Sequence, residues 1–215
     1  MVLERIANPS IGESRFLSSS LSRSANNIFQ FMLIAGNKNY GLGQALYKLY
    51  SDAVYCSRTS GYDLTTDADQ NKFVEQVNSH DVIILCSALH KFSQTVLLDK
   101  TYQECVKHSH RPHIICVGST TDRLSDGKPW LYNAEKKALR DYCNTLSLGG
   151  VWKDRPKVTY MSFGTMSNNQ HKHLDRKCLD IDQAASYIKW IIDQPSHIGL
   201  NEISIDPMQE QHWYD

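Results

Sequence analysis

The sequence contains no apolar stretch approaching the roughly 20 residues a helix needs to span a bilayer, and its start lacks the charged-then-apolar pattern of a secretory signal. It also lacks any surplus of charge: 23 Lys and Arg stand against 23 Asp and Glu. That balance favours neither nucleic acid nor a charged membrane surface as partner, so the expected ligand is a small neutral or amphoteric molecule. No CxxC pair occurs among Cys56, Cys86, Cys105, Cys116, Cys143 and Cys178, which mostly sit inside apolar runs where free thiols pack as small hydrophobes. This usage points to a reducing compartment and a cytoplasmic location. There is no G-x-S-x-G elbow for a serine hydrolase, and beyond a serine-rich start there are no repeats or low-complexity tracts.

What is present suits one α/β domain: 215 residues, 41% hydrophobic, enough to bury a substantial core. Residues 1–27 read as a poorly ordered N-terminal extension, and 28–215 as the folded domain. The arginines and serines of ESRFLSSSLSRSANN would suit organelle targeting, but Glu4 and Glu13 argue against it. From residue 28, short apolar runs alternate with helical patterns. Strands are expected over 28–36, 53–59, 81–89, 113–120, 157–164 and 201–206, and helices over 43–50, 68–80, 95–108, 131–148 and 180–193. Such alternation needs right-handed crossovers and a mostly parallel sheet covered on both faces, a doubly wound, Rossmann-like α/β fold.

In that fold a ligand binds where the first strand turns into the first helix. AGNKNYGLGQAL, residues 35–46, holds this place. Gly36, Gly41 and Gly43 allow positive φ and close approach to a pyrophosphate, whose charge the helix N-terminus favours, with Asn37, Tyr40 and Leu42 in the same turn. The spacing Gly36-x4-Gly41 also opens a P-loop, but Leu42-Gly43 stands where Lys-Ser/Thr is required, which argues against nucleotide triphosphate hydrolysis. A turn that merely lets strand and helix pack is the alternative. Arg58 ends the second strand at the expected adenosine ribose, and no Asp or Glu lies between Ala53 and Tyr62. An arginine there pairs with a 2′-phosphate, favouring NADP over NAD, with Ser57 and Thr59 as further donors.

Tyr132 and Lys136 lie four apart on one face of the helix from Leu131. A neighbouring ammonium is the obvious means of lowering a phenol's pKa, by about 3 units, for proton transfer near neutral pH. Ser119 ends the preceding strand and can donate to an oxygen on which charge develops.

Together these residues resemble the short-chain dehydrogenase/reductase family over about Phe31 to Asp206. The resemblance rests on the order of the glycine turn, Arg58, Asp63-Leu64, the DVIILCSA strand, Ser119, Tyr132 and Lys136. It implies that Tyr132 is the general acid in carbonyl reduction, Lys136 lowers its pKa and holds the nicotinamide ribose, and Ser119 binds the substrate oxygen. It also implies Asp63 and Leu64 near the adenine, Ser87 and Ala88 beside the cofactor, and Gly164 and Thr165 at the turn over the nicotinamide. A homodimer or homotetramer built through the Tyr132 helix and the one before it follows from the same resemblance.

The sequence departs from the family at four points. Four residues, Asn37 to Tyr40, separate the first two glycines where three are usual; Cys86-Ser87-Ala88-Leu89 replaces Asn-Asn-Ala-Gly; Phe163 replaces the turn proline; and the relay asparagine has no place on the 95–108 helix. No metal is expected: His108, His110 and His113, and His171 and His173 with Cys178, fall in connections read as solvated loops. The expected function is NADP-dependent oxidation or reduction of a carbonyl or secondary alcohol. An idle dinucleotide-binding redox sensor or regulator of the same fold is the rival reading.

Overall fold

In the computed structural model, residues 31–124, 129–152 and 155–208 are described. The extension expected over 1–27 lies outside them. Six strands form one parallel sheet in the order β2-β1-β3-β4-β5-β6: β1 (Met32–Ala35), β2 (Val54–Cys56), β3 (Val82–Leu85), β4 (His113–Val117), β5 (Lys157–Phe163) and β6 (Glu202–Ile205).

The strands read as unbroken apolar runs because both faces are covered, and their two-residue period sorts the side chains. Leu33, Ala35, Ile83, Leu85, Ile114 and Cys116 face one layer, formed by α2 (Asp67–Val74), α3 (Ser93–Lys107) and α4 (Leu131–Trp152). Met32, Ile34, Val82, Ile84, Ile115 and Val117 face the other, formed by α1 (Gly41–Leu49) and α5 (Ile181–Ile192). Ala184, Ala185, Ile188, Ile191 and Ile192 supply the buried stripe of α5, at the spacing of an amphipathic helix.

Several expected elements are shorter in the fold, and three of them have identifiable causes or consequences. The helix expected over 68–80 stops at Val74 and resumes as a 3-10 turn at Val77–Ser79, because Ser79 Oγ and His80 Nδ1 both turn back to the Gln76 carbonyl. The second strand ends at Cys56, where Ser57 and Ser60 cap a 3-10 turn over Arg58–Ser60 and Gly61 leaves it at φ +83°. The third strand ends at Leu85, so Cys86 to Leu89 leave the sheet as a loop.

Strand order reverses between β1 and β3. A doubly wound sheet binds its ligand at such a switch point. Among the described residues the sheet has only β2 beyond β1, where the 3-2-1-4-5-6 arrangement has two strands, and the Arg58 turn follows this last described strand.

Candidate active site

A cleft of about 1240 Å³ runs along the carboxyl ends of the strands, and its two ends carry different chemistry. One end is the glycine turn. The four-residue spacing is accommodated by an Asx turn, with Asn37 Oδ1 accepting from the Asn39 amide at 2.9 Å, and by Gly41 at φ +58°. A Cβ on Gly43 would lie 2.4 Å from the Asn37 carbonyl oxygen, so α1 approaches the turn as closely as glycine permits. The N-terminus of α1 has no side-chain cap and no acidic residue in its first turn, which leaves its amides to an anion.

Alanine normally gains about 1 kcal/mol over glycine inside a helix. At Gly43 that gain meets backbone, which cannot step aside as a flexible side chain could, and overpacking costs about 1–3 kcal/mol. Gly43→Ala is therefore expected to lower the Tm, and a calorimetric melt checks it.

At the opposite end, Ser119, Tyr132 and Lys136 converge. Ser119 ends the segment after β4 and caps the 3-10 turn Thr120–Arg123, its hydroxyl 2.8 Å from Thr121 Oγ1. Tyr132 stands on the first turn of α4, its ring against Trp130 (centroids 5.3 Å apart) and His90 (5.6 Å). One turn on, Lys136 is 2% exposed and its Nζ lies 5.2 Å from the centre of the Tyr132 ring.

The electrostatics correct one expectation. Burial raises the Tyr132 phenol above its ordinary value, Ser119 pulls it down by hydrogen bonding, and the Glu135 charge raises it further. Burial lowers the Lys136 ammonium in turn. The lysine-depressed phenol expected from sequence is thus absent from the protein alone, because desolvation disfavours the charged form of both groups. The arrangement holds a protonated phenol beside a hydroxyl, a pair that can donate to a substrate oxygen.

Of the residues expected to bind a cofactor, Gly36, Asn37, Tyr40, Gly41, Leu42, Gly43, Ser57, Arg58, Asp63, Leu64, Ser87, Ala88, Gly164 and Thr165 all line this cleft with Tyr132 and Lys136. Thr59 does not. Its turn rotates the hydroxyl toward Ser57 Oγ and Asn37 Oδ1, into a small side pocket shared with Lys38, Ser57 and Ser60. Arg58 Nε meets Asp63 Oδ1 at 3.2 Å at the cleft edge, and Thr65, hydrogen-bonded to the same carboxylate, is the main reason its pKa is lowered. Phe163 is buried in the sheet, and Gly164 beside it is required because a Cβ there would lie 2.6 Å from Asp206 Oδ1 and 2.7 Å from Pro207 Cδ.

Sequence reasoning missed two buried residues. Glu135, 4% exposed, accepts the Lys91 amide on Oε1 at 2.7 Å. It thereby ties α4 to a turn in which Lys91 (φ 56°) and Phe92 (φ 60°) are both left-handed, a strained pair that needs such an anchor. Gln94, 3% exposed, is the hydrogen-bond partner of Lys136. Neither belongs to a local motif; a polar residue at a helix start or beside the tyrosine is the only trace in the sequence.

No protein-family model matches the sequence, and no curated protein matches it. Solved structures do. A short-chain dehydrogenase from Burkholderia cenocepacia J2315 in complex with NADP aligns with a TM-score of 0.66 at 14% identity, covering 81% of this chain and 87% of that one. A 4-hydroxyisoleucine dehydrogenase mutant complexed with NADH and succinate gives 0.65 at 13% identity over 81% and 96%. The fold is that of the short-chain dehydrogenases. A ribose-5-phosphate isomerase from Brucella melitensis 16M aligns as well, at 0.64 and 14% identity over 82% and 90%. The short-chain dehydrogenase fold thus fixes the architecture, and the chemistry must be argued from the residues in the cleft.

Among the described residues no helix is long and apolar enough to cross a membrane. Three of the histidines noted in the sequence have protein partners: His110 Nε2 meets the His80 carbonyl and His113 Nε2 meets Thr159 Oγ1, each at 2.8 Å, and His108 pairs with Glu104.

Proposed function

We propose that this protein is an NADP-dependent oxidoreductase of the short-chain dehydrogenase/reductase family, interconverting a carbonyl and a secondary alcohol. The observation that carries the reading is the convergence of Ser119, Tyr132 and Lys136 at one end of a cleft whose other end is an uncapped glycine turn. The cleft fits a dinucleotide: it is large enough, the turn at Gly43 leaves no room for a side chain, and the α1 amides await an anion.

When bound, the reduced nicotinamide supplies a hydride. Tyr132 gives its phenolic proton to the substrate oxygen, Ser119 donates a hydrogen bond to the same oxygen, and Lys136 places a positive charge beside the phenolate left behind. The alcohol product then carries one proton from Tyr132, which solvent replaces.

Arg58 supports NADP as the cofactor. Lys38, unsuspected from sequence, lines the side pocket with Ser57, Thr59 and Ser60, and Ser57 also lines the main cleft with Arg58, a donor set suited to a phosphate. Hydrogen bonds to a charged group contribute about 1.5–3 kcal/mol. Arg58→Ala and Lys38→Ala are each expected to raise the Kd for NADPH about tenfold or more while moving that for NADH by less than about twofold. Fluorescence titration of both cofactors checks this, and a wild type that prefers NADH overturns the cofactor assignment.

The partner proposed for the cleft is a small carbonyl or alcohol. A homodimer or homotetramer formed through the outer faces of α3 and α4 suits the exposed Val96 and Leu148 on those helices. Turnover against a carbonyl panel is the test of the function. NADPH binding without turnover would favour an idle dinucleotide-binding regulator instead.

A further inference from the structure

Gln94, in the first turn of α3, has every polar group of its amide engaged. Its Nε2 donates to the carbonyl oxygens of Leu85 at 3.0 Å and Val117 at 2.8 Å, the last residues of β3 and β4. Carbonyl oxygens only accept, so the amide must turn its NH2 toward them, and the orientation of the group follows from chemistry. Its Oε1 is thereby aimed at Lys136, accepting from Nζ at 2.6 Å. Both side chains are nearly fully buried, and among the described residues no carboxylate pairs with Lys136.

We propose that Gln94 is a positioning residue for the reaction: a neutral, immobile acceptor that holds the Lys136 ammonium against the Tyr132 ring without cancelling its charge. The inference rests on the reductase reading for its purpose, though the contact itself does not. A carboxylate in the same place would turn an acceptor oxygen toward the Leu85 and Val117 carbonyls, where the amide donates, and it would neutralise the field that favours the phenolate during proton donation. An apolar side chain would leave a buried ammonium without an acceptor, and Lys136 would turn toward water. The other groups acting on Lys136 are Cys116 of β4, Glu135 and Cys143 of α4, and Asp122 of the 3-10 turn; Ser119, Glu135 and the His90 ring face Tyr132. None of these forms a hydrogen bond to Nζ among the described residues, so Gln94 sets its position.

The test follows Lys136 in the cofactor-free protein by 15N NMR, its signal assigned by absence in Lys136→Met. In the wild type, an ammonium held in this way exchanges its protons slowly; exchange as fast as that of the exposed lysines would overturn the contact without any variant. Gln94→Glu is expected to raise the Lys136 titration midpoint by about one pH unit, because an added negative charge favours the ammonium. Gln94→Met, similar in volume, is expected to lower it, because the acceptor is gone. A residue that merely bridged β3 and β4 would lower the Tm in both variants and move neither midpoint, and that result overturns the proposal; either variant suffices if the other does not fold. In turnover, Gln94→Glu is expected to reduce kcat about tenfold with the KM for NADPH unchanged, and an unchanged kcat overturns the positioning role. A wild type that never turns over defeats the reductase reading alone, since the titration needs no activity.

Discussion

Tyr132→Phe is expected to lower kcat/KM for the proposed carbonyl reduction by about 10²–10⁴-fold, the range that general acid catalysis contributes, or roughly 3–5.5 kcal/mol of transition-state stabilisation. Only the hydroxyl is removed. The ring keeps its contacts with Trp130, His90 and the Lys136 ammonium, so NADPH affinity and Tm should stay at wild-type values. Steady-state kinetics with parallel cofactor titration checks both parts. Because burial raises the phenol, the wild type keeps its acid form through neutral pH, and reduction should slow only in the alkaline range. A variant as fast as the wild type would remove Tyr132 from the chemistry.

Gly118→Ala is the largest stability effect expected. A Cβ there would stand 1.8 Å from the Tyr160 hydroxyl oxygen and 2.2 Å from Cζ. Tyr160 is fully buried, and its hydroxyl donates to Asp122 Oδ2 at 2.7 Å, an oxygen that Ser162 also reaches at 3.2 Å. The ring therefore has nowhere to go without breaking a buried hydrogen bond to a carboxylate. Overpacking costs about 1–3 kcal/mol, and the hydrogen bond about 1.5–3 kcal/mol more if the ring turns away. At about 2–4 °C per kcal/mol for a chain of this size, the Tm should fall by on the order of 10 °C. Gly118 precedes Ser119, so the same substitution displaces the hydroxyl that faces Tyr132, and activity should fall with stability. A melt within about 1 °C of wild type would mean that the backbone yields where the packing says it cannot.

The expected elements survive in the fold wherever period alone decides them. VIIL of β3 and MLIA of β1 are buried on both faces, so an apolar run with no alternation marks a central parallel strand, and the stripe of α5 marks its inner face. Boundaries were less legible. The ends of α2 and β2 depend on Ser79, His80, Ser57 and Ser60 hydrogen-bonding to nearby backbone, a local competition that hydrophobic patterning does not register. The site was legible in part for a similar reason. Glycines at a strand-to-helix turn and a Tyr/Lys pair one turn apart announce themselves by spacing, whereas Gln94 and Glu135 act on residues 42 and 44 positions away. The spacing placed Lys136 one turn from Tyr132, but its almost complete burial was decided by packing that the spacing does not register.

Sequence by itself determined the alternation of strands and helices, the glycine turn and the Ser119, Tyr132 and Lys136 set, because each depends on residues close together in the chain or on a short repeating period. Tertiary structure alone decided that Lys38 shares a pocket with Ser57 and Thr59, that Thr59 leaves the main cleft, that burial raises the Tyr132 phenol, and that Gln94 holds Lys136. Those outcomes depend on desolvation and on contacts between distant segments, quantities that exist only once the sheet has closed its two layers around them.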